Sequence, residues 1–466
     1  MAPRGARGGA GGAGARAGVG AGGGAGARAA ARPSRGEGAA GAARAAPAAP
    51  GPAAAPRPWE LRQGEWGRLG WLRGCSAAGG GGAGGERVAV LLSGGVDSSV
   101  ALQLALAAGH RCTAFYLQIW FQEDFRNFWG ECPWEEDLAF ARGVCERAGV
   151  ELRVVPLTDD YWGKVVSHSL AEIRRGRTPN PDMLCNSRVK FGAFQAYLDA
   201  TYPGEFSRIA SGHYARSERP PGGRVRDGGG GGEGGGGAAA LLMSADREKD
   251  QTYFLAGLSP AQVERAMFPL GVLTKPQVRD LAQECGLPTM DRKDSQGICF
   301  LGKVKFSEFV EEHLGRWPGL IVEEETGEAQ GFHRGVWFHT IGQRQGLRLP
   351  DGPWYVVRKD VDTNTVYVSR QYYSQEKRRD TFLCGGFNWL EGEAARPADG
   401  ARLQCKVRHG PAIYDCTLEY LGDGSTGRVR LDGNDQGLAA GQYCVFYEGR
   451  RCLGSAVMLG GARAGD

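Results

Sequence analysis

Three scarcities narrow what this chain can be. None of its 12 cysteines stands in a C-x-x-C pair, which excludes zinc-ribbon and thioredoxin spacings. A chain of 466 residues has no need of the disulfide framework that staples small secreted domains, so most cysteines read as reduced, buried small hydrophobes. No run approaches the roughly 18 consecutive apolar residues of a membrane span; residues 88–92 are the longest candidate, and a soluble protein is expected. Charge of one sign is also scarce: 56 Lys and Arg against 52 Asp and Glu leave +4. That excess points to nucleic acid only if cations gather in one patch.

Glycine is abundant, at 77 residues, and much of it lies in residues 1–85 and 220–240. Residues 1–57 carry eight arginines against the single acid Glu37. With almost nothing bulky and apolar to bury, such a segment does not offset its ordering entropy. The Arg-rich, acid-poor composition without an apolar h-region is that of an organelle transit peptide, mitochondrial or plastid, rather than a secretory signal. The glycine run 9–14 satisfies G-x-G-x-x-G but neither follows a strand nor opens a helix, so it carries no weight. Residues 220–240 read as a disordered loop insertion.

Order is expected from residue 86. Apolar runs at 87–92, 112–120, 151–157 and 207–211 alternate with helical patterns at 96–108, 135–148 and 161–175, the first two stopped by Gly109 and Gly149. That alternation predicts an α/β domain with a parallel sheet covered on both faces. Further helices are expected at 274–285, with Pro276 in the first turn, and at 306–314. Short β-rich runs follow at 336–341, 354–358, 365–368, 402–407, 413–420, 427–431, 443–447 and 455–459, with turn residues such as Asp423-Gly424 between them. They predict a C-terminal barrel or sandwich.

Ser93-Gly94-Gly95-Val96-Asp97-Ser98-Ser99 sits between the first strand and the first helix. Glycines let backbone approach an anion closely, and a helix N-terminus offers unpaired N–H groups and partial positive charge. The serines add hydroxyls, and Asp97 is either an indirect magnesium ligand or a brace for the loop. No Gly-Lys-Ser/Thr follows, so this is not a Walker A loop. Two cysteines also stand in unusual settings. Thr178-Pro179-Asn180-Pro181-Asp182-Met183-Leu184-Cys185 reads as an extended turn fixed by its prolines, with Arg188 and Lys190 close behind; cations favour the thiolate, which is the attacking form. Asp294-Ser295-Gln296-Gly297-Ile298-Cys299 has Lys293 and Lys303 beside it. A second thiol is useful when sulfur is the cargo, one cysteine carrying it and the other releasing it by forming a disulfide.

SGGVDSS resembles the pyrophosphate loop of the PP-loop ATP pyrophosphatases. With RTPNPDMLCN, SGHY (211–214), KDQTYFL (249–255), KPQVR (275–279), DSQGICF, HTIGQRQGL (339–347), PWYVV (353–357) and GQYCVFY (441–447) in order, residues 88–458 resemble the tRNA-specific 2-thiouridylases. The resemblance implies a PP-loop catalytic domain at 86–300, a small central domain at 301–375 and a tRNA-binding β-barrel at 376–466, behind the leader 1–85. It implies an enzyme that uses ATP, with Mg2+, to adenylate the C2 oxygen of the wobble uridine in tRNAs for Lys, Glu and Gln. Residues 93–99 (Ser93, Gly94, Gly95, Val96, Asp97, Ser98, Ser99) with Leu117 and Gly212 would hold ATP. Cys299 would carry a persulfide from a sulfur donor, such as a cysteine desulfurase or relay protein. Cys185 would be the nucleophile and Asp182 the acid/base. Asn180, Pro181 and Asp182 would surround the extruded base, and His213, Lys249, Asp250, Gln251, Arg408, His409 and Gln442 would face tRNA. Leu117 replaces the family's frequent Met, and His409 its usual Tyr. The chain is expected to act as a monomer. Asp182, Cys185 and Cys299 alternatively suit an iron–sulfur cluster. Two other readings are a PP-loop enzyme that aminates an adenylated carbonyl, which needs no paired thiols, and a non-catalytic RNA-binding protein.

Overall fold

The computed structural model describes residues 85–119, 133–219, 238–294, 306–373, 379–435 and 437–461. The leader, the tip of the Gly-rich insertion and Cys299 lie outside the described residues.

Strands β1 (Arg87–Leu91), β2 (Arg111–Gln118), β3 (Leu152–Pro156) and β4 (Arg208–Ala210) pair in parallel, in the order β3-β2-β1-β4, as their apolar runs predict. Four of the five β1 residues are buried, the mark of a strand covered on both faces. Between β1 and β2 lies α1 (Val96–Ala107). It ends at Gly109, whose φ of 86° is left-handed; the Gly109 N–H reaches the Leu106 carbonyl and the His110 N–H reaches back to Ala105. This paired closure of a helix end is the one that favours glycine, and Gly149 closes α2 (Pro133–Ala148) in the same way.

After β3 the chain forms α3 (158–174), whose middle, Trp162–Val166, widens to a π-helix. Next comes α4 (181–201), also π-helical over Asn186–Ala193. Such widened turns are often found near functional positions. Here the Ser187 carbonyl within the wide turn accepts the Gln262 amide at 2.8 Å.

Beyond β4, β5 (Ala215–Glu218) and β6 (Ala240–Met243) form a hairpin in which Glu218 faces Ala240. The insertion therefore enters and leaves at a hairpin tip. β7 (Ala266–Met267) completes the five-stranded parallel sheet beside β4. The helix α5 (Lys275–Glu284) starts with a Thr274–Gln277 capping box and Pro276. It packs Val278, Leu281 and Ala282 on Val96, Val100 and Leu104 of α1.

The central domain opens with α6 (Phe306–Leu314), followed by β8 (Gly319–Glu323), β9 (Ala329–His333), β10 (Tyr355–Asp360) and β11 (Thr365–Ser369), in sheet order β10-β11-β8-β9. The strand expected at 336–341 is not there. Val336–Phe338 is a single 3-10 turn and His339 is buried behind it. A short apolar run does not by itself separate a strand from a buried turn.

Six strands, β12 (Thr381–Trp389), β13 (Ala401–Lys406), β14 (Tyr414–Leu421), β15 (Thr426–Leu431), β16 (Tyr443–Glu448) and β17 (Arg451–Gly461), close into a barrel through the β12–β17 pairing. Gly386, with φ of 62°, lies where the β12–β17 register shifts, and the strand bends there. The barrel core holds Cys384, Cys405, Cys416 and Cys444 as buried apolar residues. Burial likewise pushes the thiols of Cys112 and Cys145 up to about 12, so these are packing residues, as the sequence suggested. The barrel is joined to the first domain: β6 adds to β17, pairing Leu241 with Cys452. One buried cluster runs from Ala89, Leu91 and Phe115 through Met183 and Cys185 to Val445 and Tyr447. Among the described residues no helix is long and apolar enough to cross a membrane.

Candidate active site

The chain places β2 and β3 on one side of β1 and β4 on the other, so the order reverses between β1 and β4. Ligands of open parallel sheets bind at such a switch point, outside the carboxyl ends of the strands. The 93–99 loop follows β1, Gly212 follows β4 and Leu117 lies near the end of β2. The nucleotide-site residues expected from sequence therefore share one edge of the sheet.

The loop is built as an anion cradle. Gly94 has φ of 75°, and a methyl there would stand 2.2 Å from the Asp137 carbonyl. Gly95 caps α1 in an extended conformation without any side-chain cap, and a methyl on it would meet only the Ser93 hydroxyl, at 3.6 Å. The first N–H groups of α1 thus have no capping side chain to occupy them, which suits a polyphosphate. Ser98 Oγ accepts from the Ser93 N–H at 3.2 Å and donates to the Gly95 carbonyl at 3.1 Å, while Ser99 Oγ donates to the same carbonyl at 2.8 Å. These two hydroxyls are spent on holding the loop. A methyl on Gly212 would lie 2.7 Å from the Ser98 nitrogen, so only glycine lets the β4 end approach the loop this closely.

Charge surrounds the cradle. Asp97 accepts Lys275 Nζ at 2.7 and 2.9 Å and the Tyr214 hydroxyl at 2.9 Å, which makes it a loop brace. Lys275 also meets Asp294 at 2.8 Å, and Asp294 receives Lys249 at 2.9 Å and Arg279 at 2.5 Å. Burial pulls the Asp294 carboxyl up, but hydrogen bonds and charge from Lys275 and Lys249 outweigh it and hold the group well below the usual carboxylate range. Arg292 donates to the Gly94 carbonyl at 2.8 Å and pairs with Asp137 at 2.7 Å. Because a trans peptide is planar, fixing that carbonyl turns the Gly95 N–H the opposite way. Sequence reading missed Lys275, Arg279, Arg292 and Asp294 as site residues; Lys275 and Arg279 had a signal in the KPQVR segment and Asp294 in DSQGICF, while Arg292 lies in neither.

The thiol end is built differently. The segment expected as an extended turn is a helix start: Asn180 is the N-cap, its Oδ1 accepting the Met183 N–H at 3.2 Å, and Pro181 is the first helical residue. Asp182 and Cys185 are thus three apart on one helix, neighbours on its surface, with Asp182 in the first turn where negative charge is favoured. Cys185 has no solvent exposure. Arg188 donates to the Lys164 carbonyl at 3.0 Å. Cys299 lies outside the described residues, so its distance to Cys185 forms no part of this geometry.

The residues expected to face tRNA divide. Lys249, Arg408 and His409 border solvent, although Lys249 and Arg408 are engaged with Asp294 and Asp435 respectively. His409 lies against the Phe254 ring, with centroids 4.6 Å apart. Burial lowers its pKa, Lys406 adds to the lowering, and Asp250 and Asp182 oppose it, so the barrel's His409 lies within the field of Asp182 on α4. His213 is set against Phe191 and Phe268 and shares a 2.8 Å hydrogen bond with Ser211 Oγ. Burial and Lys190 hold it down to about 3, so it is neutral and offers no charge to a phosphate. Asp250 is buried, accepting from the Ser244 N–H at 2.8 Å and the Thr252 hydroxyl at 2.5 Å, with Lys406 at 3.6 Å. Gln251 is bonded in both directions to the Tyr214 backbone. Gln442 is half-buried, and its Nε2 donates to the Thr178 and Pro179 carbonyls before α4 at 2.9 and 3.2 Å. Asp250 is buried rather than open to solvent, and both it and Gln442 tie the barrel to the first domain. Among the described residues no group of three His, Cys, Asp or Glu is arranged for a metal.

A glycine cradle at a parallel-sheet switch point defines a nucleotide-binding α/β enzyme. Residues 86–303 match the tRNA methyl transferase HUP domain family, 307–370 the tRNA methyl transferase PRC-barrel domain and 379–458 the aminomethyltransferase beta-barrel domain. The tRNA-specific 2-thiouridylase MnmA of Parabacteroides distasonis is 39% identical over 375 residues, spanning 80% of this chain and 98% of the relative. That of Porphyromonas gingivalis is 40% identical over 382 residues, spanning 80% and 99%. The chain belongs to the tRNA-specific 2-thiouridylase family. Among solved structures, a 4-thiouridine synthetase–RNA complex with bound ATP overlaps at a TM-score of 0.29 and 16% identity, over 49% of this chain and 50% of that one.

Proposed function

We propose that this enzyme thiolates C2 of the wobble uridine in tRNAs for Lys, Glu and Gln. ATP, held with Mg2+ at the 93–99 loop, supplies the activation of the C2 oxygen, with pyrophosphate and then AMP leaving. Cys299 carries the sulfur as a persulfide delivered by a desulfurase or relay protein. The Cys185 thiolate attacks the Cys299 sulfur, a Cys185–Cys299 disulfide forms, hydrosulfide leaves and displaces AMP from C2, and an external thiol reduces the disulfide. Asp182 takes and returns the proton, and Asn180 and Pro181 border the extruded base.

The observation that carries this reading is the meeting, in one fold, of an uncapped anion cradle with Asp182 and Cys185 one helical turn apart. Paired thiols are superfluous to an aminating PP-loop enzyme, which sets that alternative aside. The enzyme acts as a monomer, and residues 1–57 direct it to a mitochondrion or plastid, a reading that rests on their arginine excess and that a fluorescent fusion tests.

The decisive measurement is mass spectrometry of nucleosides from unmodified tRNA incubated with ATP, Mg2+ and a persulfide donor. Sulfur appears on uridine with the native chain and not with Cys185→Ser or Cys299→Ser. A folded protein that releases pyrophosphate but adds no sulfur overturns the proposal. Absorption of an iron–sulfur cluster after anaerobic purification would replace the persulfide step.

A further inference from the structure

The middle of the segment that leads into α4 has no local hydrogen-bond partners among the described residues. Pro179 and Pro181 have no N–H to give, and residues 177–180 belong to no strand or helix. The Arg177 N–H reaches back to the Glu172 carbonyl at 2.9 Å and the Asn180 carbonyl accepts the Leu184 N–H at 3.3 Å. Between them, the backbone of Thr178 and Pro179 is satisfied from the barrel, by the turn before β16. The Thr178 N–H donates to the Ala440 carbonyl at 2.8 Å. The Gln442 amide bridges the Thr178 and Pro179 carbonyls. The Tyr253 hydroxyl donates to the Tyr443 carbonyl at 3.1 Å and also meets the Asn180 side chain. Gly441, with φ of 90°, lets the two backbones touch: a methyl there would lie 2.9 Å from Arg177 Cβ and 3.0 Å from the Thr178 nitrogen.

We infer that Gln442 is a positioning residue for Asp182 and Cys185: the barrel turn 440–443 is the mould that sets the entry of α4, and Gln442 is the side chain that bridges the two. This rests on the thiouridylase reading for what Asp182 and Cys185 do, but the clasp itself is geometric. The amide is the right group for the task. Its two N–H bonds face two carbonyls that no backbone donor serves among the described residues, whereas a carboxylate in the same place would repel both oxygens. A displacement of about 1 Å at a reacting group costs roughly 100-fold in rate, so a neutral hydrogen bond at the entry to α4 controls turnover by setting where Asp182 and Cys185 stand.

The test uses the full chain with Gln442→Met and Gln442→Glu, both close in size to glutamine. With tRNA as the varied substrate, the expected result is a fall in kcat of tenfold or more, while KM and directly measured tRNA affinity stay within twofold. A second readout does not depend on thiolation. In the protein alone, alkylation of Cys185 by iodoacetamide, followed by peptide mass spectrometry, should speed up at least fivefold in both variants, because the thiol is fully buried behind this segment. Unchanged Cys185 alkylation overturns the clasp, even if the enzyme thiolates nothing. Weaker tRNA binding that accounts for the whole loss of kcat/KM overturns it too, making Gln442 an RNA contact. Failure of the native chain to thiolate, with faster alkylation in the variants, sinks the function and leaves the clasp standing.

Discussion

The two ends of the active site are held in place by opposite means. At the phosphate end, Asp97, Asp294 and Asp137 are locked among Lys275, Lys249, Arg279 and Arg292. At the thiol end the entry to α4 carries a single part-exposed ion pair among the described residues, Arg177 with Glu172 at 3.1 Å. The residues nearest Asp182 and Cys185 are held by an asparagine cap, an amide on two carbonyls, a tyrosine hydroxyl and packing. The difference follows from what each end must do. A polyphosphate needs fixed positive charge, and cations kept close by carboxylates stay oriented for it. A thiol that reacts with a second sulfur, as proposed for Cys185, is better served by neutral surroundings that fix its direction, since a charge buried there would need its own partner. The contrast predicts that the two ends fail separately.

The largest effect is expected from glycines where the ends are tightest. Gly212→Ala puts a methyl 2.7 Å from the Ser98 nitrogen and 2.8 Å from the Asp97 carbonyl carbon, backbone atoms that give way only by moving the cradle. Pyrophosphate release from ATP in the presence of tRNA should drop by about 100-fold. Gly441→Ala, whose methyl meets Arg177 and Thr178, should instead spare pyrophosphate release and abolish sulfur addition. If both variants lose both activities, the ends are not independent.

Next in size is the loss of the central cation. Lys275→Met leaves Asp97 and Asp294 facing each other without the ammonium between them. Because Lys275 is nearly buried while both carboxylates keep some water, the expected destabilisation is about 1–3 kcal/mol in urea unfolding. Raising salt to 1 M, where the Debye length is about 3 Å, should narrow the gap between variant and native chain. The Gln442 variants should show no such salt dependence.

Acid separates the ends as well. His213 stays neutral down to about 3 in the fold, whereas an unfolded histidine takes up its proton near 6.5. The unfolded state therefore binds more protons below that point, and stability falls as pH drops from about 6.5 toward 3. Asp294 is shifted down from the ordinary carboxylate value, so its contribution is whole above about 4 and is lost only below that. After a discount for the part of the ring that water reaches, native stability should decline by about 1 kcal/mol between pH 6.5 and pH 5. His213→Gln should flatten that limb and leave the steeper loss below pH 4 intact. Denaturation curves at stepped pH check both limbs.

The phosphate end was more legible in the sequence than the thiol end, for the same physical reason. β1 and α1 are local: an apolar β-branched run, two glycines and a glycine stop name the strand, the cradle and the helix end from neighbouring residues alone. The entry to α4 is defined partly by a barrel turn some 260 positions later, Gln442 on Thr178, and no local pattern reports a partner at that distance. Even so, one local signal went unread: Asn-Pro-Asp is an N-cap, a first-turn proline and a first-turn acid, yet the two prolines read as an extended turn. The cation ring was illegible because Lys275, Arg279 and Arg292 have ordinary exposed-helix and loop neighbours in sequence, and only folding aims them at Asp97, Asp294 and Gly94. The strand β12 escaped because Gly385-Gly386 interrupts its apolar run.

The smallest effect should come from the outer rim, where neither mode of holding is complete. Arg408 is about half exposed yet already paired with the buried Asp435, and Asp435 in turn accepts the Tyr414 hydroxyl and the Gly437 N–H. A guanidinium engaged in this way reaches a phosphate only with its remaining N–H groups, so it contributes orientation more than charge. Arg408→Ala should weaken tRNA binding a few-fold, leave kcat unchanged and reduce the slope of log affinity against log salt by at most about 1. Filter binding across a salt series measures it. An unchanged slope with a lower kcat would mean that Arg408 acts on the catalytic helix through its neighbour His409, which would extend the neutral clasp outward to the barrel surface.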